Sequence, residues 1–402
     1  MFSVIVKKAR EGVVRKKHPW LFSGALEKPL PPGIIPGDIV QVVNHSGVIL
    51  GFAMLNPQTE LLGRMLSFER SFASETFIAD RLRAAWHERR QLVPTEISTA
   101  FRLVNAEGDG MPGLIIDCYG ETAVVQISTV GMERRKAEIV ACLSTLGITR
   151  VYEKSTSASS RLLEGLSAKN EGWLFIAEVG TTAEAEHLEI CEHGVRYQVA
   201  ISGGQKTGFF LDQREMRALL RQFARDTSVL NCFAYTGGFS FNALQAGARS
   251  VVSIESSAAA CETMAANGRL NGLSDAQHTH QIIVGDVFEF LRTTKEKFAI
   301  IVMDPPAYVK KAKDARRGFS QYLELNRLAL DCLAAGGSLF TFSCSPFFDE
   351  ALWQEMLAAA MLASGRNLRI MSQHRHALDH PVALSHPEGR YLKGTVLKEY
   401  PR

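Results

Sequence analysis

The sequence predicts an α/β fold for its C-terminal part, with a doubly wound and mostly parallel sheet, preceded by a β-rich N-terminal region and a small α+β central region. Two observations predict the sheet. From about residue 187 onward strand and helix patterns alternate regularly, and the strand segments are short and almost continuously apolar. Such segments are typical of parallel strands covered by helices on both faces. We predict domains over residues 1–75, 76–186 and 187–402.

The first 75 residues show the rhythm of strands and turns, with little helical period. Val4–Val6, Ile39–Val43 and Val48–Phe52 are predicted strands, and the polar residues 44–47 between the last two predict a turn. Prolines and glycines between residues 29 and 37 separate the elements. This pattern predicts a small β-rich domain.

The central region mixes helix and strand signals. Ser74 is placed to cap a helix that begins near Glu75, and Ile78 and Leu82 then fall on one helical face. A second helix is predicted over residues 134–146. Strands are predicted over residues 114–116, 123–127, 151–153 and 174–176. This α+β pattern does not by itself indicate a function.

In the C-terminal region a strand at residues 195–201 and a helix at 212–225 precede the regular alternation. The strands that follow are predicted at Val229–Phe233, Val251–Glu255, Gln281–Val284, Ala299–Asp304, Ser338–Ser343 and Leu368–Ser372. Ligands of such folds bind outside the carboxyl ends of the strands. The residues that follow each strand are therefore the candidates for a functional site.

Composition limits the classes of protein. The sequence has a net charge of +3 and no apolar run of about 18 residues, so neither a membrane span nor a signal peptide is expected. Seven cysteines without CxxC pairs fit a reducing cytoplasm, rather than a disulfide framework or a metal site. A basic N-terminal cluster fits either contact with a phosphate backbone or a solvated surface. Its residues are Lys7, Lys8, Arg10, Arg15, Lys16 and Lys17, of which all but Arg10 are candidate RNA-binding residues.

The ends of the first three strands outline a nucleoside pocket. Gly237 follows the first strand, where a tight turn permits close approach of a ligand. Glu255 ends the second strand and is suited to bind ribose hydroxyls. Asp286 and Val287 follow the third, suited to an adenine amino group and ring. Each of these residues also has a purely structural interpretation. Gly237 alone fits a simple turn as well as it fits a ligand site, and Glu255 or Asp286 alone fits a helix cap. The glycine spacing departs from GxGxxG, which disfavours a nicotinamide dinucleotide.

The fourth and fifth strands end in Asp304-Pro305-Pro306 and Ser343-Cys344-Ser345. An acid followed by two prolines is typical of nucleic-acid methyltransferases, and the prolines direct the chain out of the sheet. A free cysteine is usually a small buried hydrophobe, but Cys344 falls at the same sheet edge as Asp304. A thiolate there is suited to add to carbon-6 of cytosine, which activates carbon-5 for methylation.

These motifs resemble the bacterial ribosomal RNA large subunit methyltransferase I family, the 23S cytosine-C5 methyltransferases. The resemblance runs over nearly the whole chain. It is carried by His18–Gly24, Glu107–Leu114, Lys206–Arg214, Asn231–Phe239, Asp304–Pro306, Thr341–Ser345 and Pro387–Gly394. It implies an N-terminal PUA domain, a central RNA-binding-like domain and a Rossmann-like class I methyltransferase domain that uses S-adenosyl-L-methionine. The substrate would be 23S ribosomal RNA, either naked or in an assembling large subunit, and a homodimer stays open.

The resemblance also implies roles for residues. Cys344 would be the nucleophile, assisted by Asp304, and Lys206 would join the basic cluster in binding RNA. The methyl donor would be bound by Asn231, Phe233, Tyr235, Gly237, Glu255, Asp286, Val287, Asp304, Phe210 and Asp212.

The chain departs from the family at two places. Ala307-Tyr308 stands where Lys-Phe is usual, and residues 155–161 replace a basic stretch. Both departures concern RNA contacts. Three alternatives stay open: methylation of an exocyclic amine of guanine or adenine, methylation of uridine carbon-5, and a non-catalytic RNA-binding protein of ribosome assembly.

Overall fold

The computed structural model describes residues 1–177, 187–202, 207–273 and 279–400. The chain forms two units. One consists of Met1–Ile190, Val199–Leu211 and Leu378–Gly389, and the other of Cys191–Gln198, Asp212–Ala377 and Arg390–Arg402. The domain boundaries at residues 75/76 and 186/187 stay a prediction.

The N-terminal part of the first unit is a five-stranded sheet in the order β1-β3-β4-β5-β2. The strands are β1 (Ser3–Ile5), β2 (Trp20–Leu21), β3 (Asp38–Val43), β4 (Ile49–Leu55) and β5 (Gly63–Ser67), with the short helix α1 at Glu11–Arg15. The turn between β3 and β4 forms because the Asn44 side chain accepts hydrogen bonds from the backbone N–H groups of Ser46 and Val48. The predicted strands are confirmed, and β2 and β5 are additional.

The central part of the first unit is a second five-stranded sheet in the order β10-β9-β8-β7-β6. Its strands are β6 (Ala100–Asn105), β7 (Leu114–Tyr119), β8 (Thr122–Ile127), β9 (Arg150–Ser155) and β10 (Asn170–Ile176). Its helices are α2 (Phe77–Leu92), α3 (Val130–Glu133), α4 (Lys136–Thr145) and α5 (Ala158–Leu163). Two predictions were wrong in detail. Helix α2 begins at Phe77, because Ser74 bonds Glu75 instead of capping the helix. The helix predicted over 134–146 is found as α4, which is shorter at both ends, and the short helix α3 before it is additional.

A separate two-stranded sheet consists of β11 (His187–Glu192) and β12 (Val195–Ala200). The second of these strands agrees with the prediction at residues 195–201.

The second unit contains a seven-stranded sheet in the order β15-β14-β13-β16-β17-β19-β18. Its strands are β13 (Ser228–Cys232), β14 (Ser250–Glu255), β15 (Thr279–Val284), β16 (Phe298–Met303), β17 (Leu333–Ser343), β18 (Leu368–His374) and β19 (Lys393–Glu399). Its helices are α6 (Arg214–Ala224), α7 (Gly238–Gln245), α8 (Ala258–Leu270), α9 (Val287–Thr293), α10 (Ala315–Cys332) and α11 (Glu350–Ser364).

Five strands of this sheet, β13 to β17, are parallel, and β19 is antiparallel to both of its neighbours. The predicted doubly wound sheet is confirmed, whereas β19 is additional. Strand order reverses between β13 and β16, which is where ligands of open α/β sheets bind. Among the helices in the described parts of the chain, none has the length and apolarity to cross a bilayer.

Candidate active site

The carboxyl ends of the parallel strands bring the predicted motifs to one edge of the sheet. Cys232 of β13 lies beside Met303 of β16, which in turn lies beside Thr341 of β17. On the other side of β13, Glu255 of β14 is in register with Val284 of β15. The segments that follow these residues therefore leave the sheet in the same direction.

The loop between β13 and α7 has an unusual backbone. Phe233 and Tyr235 have left-handed φ angles of 57° and 49°, and Gly237 has a φ of 88°. A Cβ on Gly237 would lie 2.5 Å from the Phe241 ring, so only glycine fits there. Left-handed conformations in residues other than glycine cost about 1–3 kcal/mol each and are typical of ligand sites.

Contacts with β14 hold this loop. The Ala234 N–H donates to the Ile254 carbonyl at 3.0 Å, and the Tyr235 N–H donates to Glu255 Oε2 at 2.9 Å. Glu255 Oε1 accepts from the Ser257 N–H at 2.9 Å, and the residue is only 9% exposed. The Glu255 carboxylate therefore fixes the loop conformation and uses part of its acceptor capacity in doing so.

Asp286 is the N-cap of α9, where its Oδ1 accepts from the Glu289 N–H at 2.9 Å, and the residue is exposed. Asp286 is therefore a helix cap, as one of the two interpretations of the sequence predicted. Because it also lies at the edge of the sheet, it stays a candidate for binding the cofactor. Val287 is buried in the core of the second unit.

Asn231 is 1% exposed and belongs to a buried chain of hydrogen bonds. Its Nδ2 donates to Ser240 Oγ at 2.8 Å, Ser240 Oγ lies 2.7 Å from Ser253 Oγ, and Ser253 Oγ lies 2.8 Å from His280 Nε2. The chain connects β13, α7, β14 and β15. Burial lowers the pKa of His280 to about 4, so the ring is neutral at pH 7.

Asp304 and Cys344 lie close together. The Cys344 Sγ is 3.9 Å from the carbonyl oxygen of Pro305, the residue that follows Asp304. Asp304 is half-buried, and its Oδ2 accepts a hydrogen bond of 3.2 Å from Gln213 Nε2. Cys344 is half-buried, whereas Cys232 of β13 and Cys332 at the end of α10 are buried.

The serines on either side of Cys344 are bonded to Tyr322 of α10. Ser343 Oγ donates to the Tyr322 hydroxyl at 2.9 Å, and that hydroxyl lies 2.9 Å from Ser345 Oγ. Ser345 Oγ also accepts from the Val309 N–H at 3.0 Å, in the loop after the two prolines. One buried cluster therefore fixes the backbone on both sides of the thiol and the adjoining loop.

Four residues of this region were missed by the sequence reasoning or quoted only inside a motif. Tyr391 donates to Asp212 Oδ2 at 2.6 Å, and Lys393 donates to the Ser345 carbonyl at 2.9 Å. Within the described residues, Thr236 Oγ1 and Gln213 Oε1 are buried and have no hydrogen-bond partner. Tyr391 and Lys393 were quoted only inside the motif Pro387–Gly394, and Lys393 was given no role because no strand was predicted at β19.

The remaining predicted site residues are divided between the two units of the chain. Phe210 belongs to the first unit and is half-buried, while Asp212 belongs to the second and is buried. Lys206 lies outside the described residues. The other predicted RNA-binding residues, all exposed and in the first unit, are Lys7, Lys8, Arg15, Lys16 and Lys17.

Comparison with known families gives two matches. Residues 175–368 match the family model of S-adenosylmethionine-dependent methyltransferases, and residues 4–68 match that of PUA-like domains. The chain thus contains a methyltransferase domain and a PUA-like domain.

Curated relatives match over nearly the full length. The "Ribosomal RNA large subunit methyltransferase I" of Salmonella arizonae is 36% identical over 398 residues, which cover 97% of this chain and 96% of the relative. The protein of the same name from Pseudoalteromonas translucida is 38% identical over 406 residues, covering 99% of both.

Solved structures show the same fold. A Streptococcus mutans protein described as a candidate SAM-dependent methyltransferase matches with a TM-score of 0.81 at 24% identity, over 99% of this chain and 100% of that chain. A candidate methyltransferase complexed with SAH matches with a TM-score of 0.82 at 24% identity and the same coverage.

The residues at the sheet edge fit S-adenosylmethionine, the cofactor of this domain. The cofactor presents hydroxyl, amine and ammonium donors and a sulfonium charge. The edge offers the carboxylates of Glu255, Asp286 and Asp304, and the unsatisfied oxygens of Thr236 and Gln213 lie in the adjoining segments. With its methyltransferase and PUA-like domains, and with curated relatives more than one-third identical over almost its entire length, the chain belongs to the ribosomal RNA large subunit methyltransferase I family.

Proposed function

We propose that this protein methylates carbon-5 of a cytosine in large-subunit ribosomal RNA, with Cys344 as a covalent nucleophile. The substrate class follows from the names of the curated relatives. The observation that carries the covalent mechanism is the contact of 3.9 Å between the Cys344 thiol and the Pro305 carbonyl. It brings a half-buried sulfur beside the residue that follows Asp304, at the same edge of the sheet as the end of β14 with Glu255.

Cys344 acts by adding to the base. Its thiolate forms a bond to carbon-6 of cytosine, and the electron pair of the 5,6 double bond moves so that carbon-5 becomes nucleophilic. S-adenosylmethionine supplies, when bound, the methyl group that carbon-5 takes up. A base then removes the carbon-5 proton, the double bond re-forms, and Cys344 leaves as a thiolate.

Asp304 orients the base in this proposal. Its carboxylate accepts from Gln213 at 3.2 Å and is anchored by the two prolines that follow. From there it is suited to accept a hydrogen bond from the cytosine amino group, and so to hold carbon-6 near the thiol. Because a stacked base hides carbon-6, the target cytosine must be unpaired or flipped out.

The N-terminal region supplies RNA contacts. It matches a PUA-like domain and carries the exposed basic cluster. In this proposal residues 1–75 and 76–186 bind RNA in the cytoplasm and residues 187–402 catalyse methyl transfer. Both naked RNA and an assembling subunit are candidate substrates, and the chain acts as a monomer or a homodimer.

The test compares Cys344→Ala with Cys142→Ala, which removes another half-buried thiol, in the first unit. Large-subunit RNA is incubated with each protein and the cofactor, and the product nucleosides are identified by mass spectrometry. We expect Cys344→Ala to lose roughly a thousandfold or more of 5-methylcytidine formation, as when a nucleophile is removed. Cofactor binding and Cys142→Ala activity should be unchanged.

RNA that carries 5-fluorocytidine tests the adduct itself. Fluorine at carbon-5 cannot leave as a proton does, so the wild-type protein should remain covalently attached to the RNA and Cys344→Ala should not. Full activity of Cys344→Ala would favour methylation of an exocyclic amine, and 5-methyluridine as product would identify uridine as the target. A wild-type protein that binds no cofactor would revive the non-catalytic alternative.

A further inference from the structure

Lys393 is a buried cation beside the strand end that carries Cys344. It is 3% exposed and lies opposite Ser343 in the antiparallel pair of β17 and β19. Its Nζ donates to the carbonyl oxygens of Ser345 at 2.9 Å and Tyr391 at 3.0 Å. Two of the three ammonium donors are thereby directed at backbone carbonyls, one of which belongs to the residue after Cys344.

The charges around Lys393 are largely engaged with other groups. Glu350 forms an ion pair of 3.2 Å with Arg375, and Asp349 Oδ1 accepts from the Leu352 N–H at 2.9 Å as the cap of α11. Burial lowers the pKa of Lys393 to about 8, and the negative charges of Glu350, Cys344 and Asp349 oppose that shift while Arg375 adds to it. The ammonium form therefore predominates at pH 7.

Two tyrosines lie near the strand end that carries Cys344, where Tyr322 is bonded to both flanking serines. The Tyr308 and Tyr322 rings are 4.9 Å apart, and both interact electrostatically with the thiol. Burial raises the pKa of both phenols, so both stay neutral at pH 7 and add no negative charge beside the sulfur.

We propose that Lys393 is a positioning residue whose ammonium holds Cys344 as the thiolate. The inference rests on the proposed function, in which that thiolate attacks cytosine. Because an interaction between two charges is reciprocal, an anion that stabilises the ammonium is stabilised by it to the same extent. The thiol proton passes to solvent, and an ammonium and a sulfur anion remain. The two backbone carbonyls fix the ammonium at the strand end that carries Cys344.

The test measures the reactivity of the thiol without methyl transfer. Cys344 is alkylated with iodoacetamide between about pH 6 and pH 10, and the modified peptide is quantified by mass spectrometry. In Lys393→Met the pH of half-maximal rate should rise by about one unit, so that well below the wild-type midpoint the variant should react about tenfold more slowly. Lys393→Arg should restore most of the wild-type profile. Equal profiles for the wild type and Lys393→Met would overturn the inference.

The wild-type protein provides a second measurement that does not depend on a variant folding. A cation beside the sulfur attracts anionic iodoacetate relative to neutral iodoacetamide. The ratio of the two rates should be higher at Cys344 than at half-buried Cys142, and it should fall above pH 8 as Lys393 loses its proton. A ratio at Cys344 that does not change with pH would contradict the inference. If Cys344→Ala still formed 5-methylcytidine, the proposed function would fail while these alkylation results stood.

Discussion

At the scale of single residues, the hydroxyl of Tyr322 connects the two serines that flank Cys344. It is buried, and both hydrogen bonds are 2.9 Å long. Ser345 Oγ also accepts a hydrogen bond from the Val309 N–H. The Tyr322 phenol, through Ser345, therefore links strand β17 to the loop that follows Asp304. The two serines of the Ser-Cys-Ser motif thus have a structural role: they position the backbone on both sides of Cys344.

We predict that Tyr322→Phe lowers kcat by roughly tenfold, because the loss of hydrogen bonds worth about 1–2 kcal/mol loosens the backbone around the thiol. The KM for RNA should change little. Steady-state kinetics with 5-methylcytidine as product provide the measurement.

Thr341→Val is the matched control for this variant. It removes a buried hydrogen bond of 2.7 Å between the same strand and the same helix, to Asn326, without touching residues 343–345. Its loss of stability should equal that of Tyr322→Phe, while its kcat stays within about twofold. If both variants lose activity equally, the role of Tyr322 is merely structural.

At the scale of elements, the loop between β13 and α7 rests on a polar layer within the sheet. The hydrogen bonds from Asn231 through Ser240 and Ser253 to His280 join three strands and one helix. A buried chain of this kind is favourable only while every member keeps its partner, so protonation of the terminal histidine is costly. It connects the conformation of the loop to the protonation of a residue two strands away.

This predicts a specific loss of stability in acid. The folded state resists protonation of His280 until about pH 4, whereas the unfolded chain takes up the proton near pH 6.5. The contribution of neutral His280 to the free energy of unfolding is therefore fully present above pH 6.5 and decreases as the pH falls towards 4. At pH 5 it is smaller by about 2 kcal/mol.

Denaturant unfolding of the wild type and of His280→Gln at pH 7.5 and pH 5 measures this effect. Glutamine can still hydrogen-bond Ser253 but does not titrate. The free energy of unfolding of His280→Gln should therefore fall between pH 7.5 and pH 5 by about 2 kcal/mol less than that of the wild type. As a control, His87→Gln changes an exposed histidine and should leave the pH dependence of the free energy of unfolding as it is in the wild type. The same loss in all three proteins would exclude His280 as its source.

At the scale of the whole molecule, a basic cluster lies near the N-terminus although the net charge of the chain is only +3. The basic residues near the N-terminus are exposed, and Arg15 is partly neutralised by Glu11 at 3.1 Å. Binding of RNA through such residues releases counterions and must weaken as salt rises.

We predict that Lys7→Gln/Lys8→Gln reduces the slope of log affinity against log salt by roughly 1.4, at about 0.7 per phosphate contact for single strands. Titrations of labelled RNA at several salt concentrations measure the slope. The exposed pair Lys295→Gln/Lys297→Gln in the second unit removes the same charge and should leave the slope unchanged. Equal effects of the two double variants would mean that the basic cluster is only a solvated surface.

The sequence by itself determined the parallel sheet and the set of motifs at its edge. Short apolar strands alternating with helices permit few other arrangements, and the carboxyl ends of parallel strands share one edge. Asp304 and Cys344 were therefore identified as neighbours before any coordinates, and their contact through Pro305 agrees with that prediction.

Only the tertiary structure decided which side chains face that edge. Asn231 and Val287 belong to motifs, yet their side chains are buried inside the second unit. Lys393 reaches the carbonyl of Ser345, the residue after Cys344, because β19 inserts between β17 and β18, a pairing of segments far apart in the chain. Local sequence patterns do not predict such strand pairings or the burial of individual side chains, because both depend on contacts between residues that are distant in sequence.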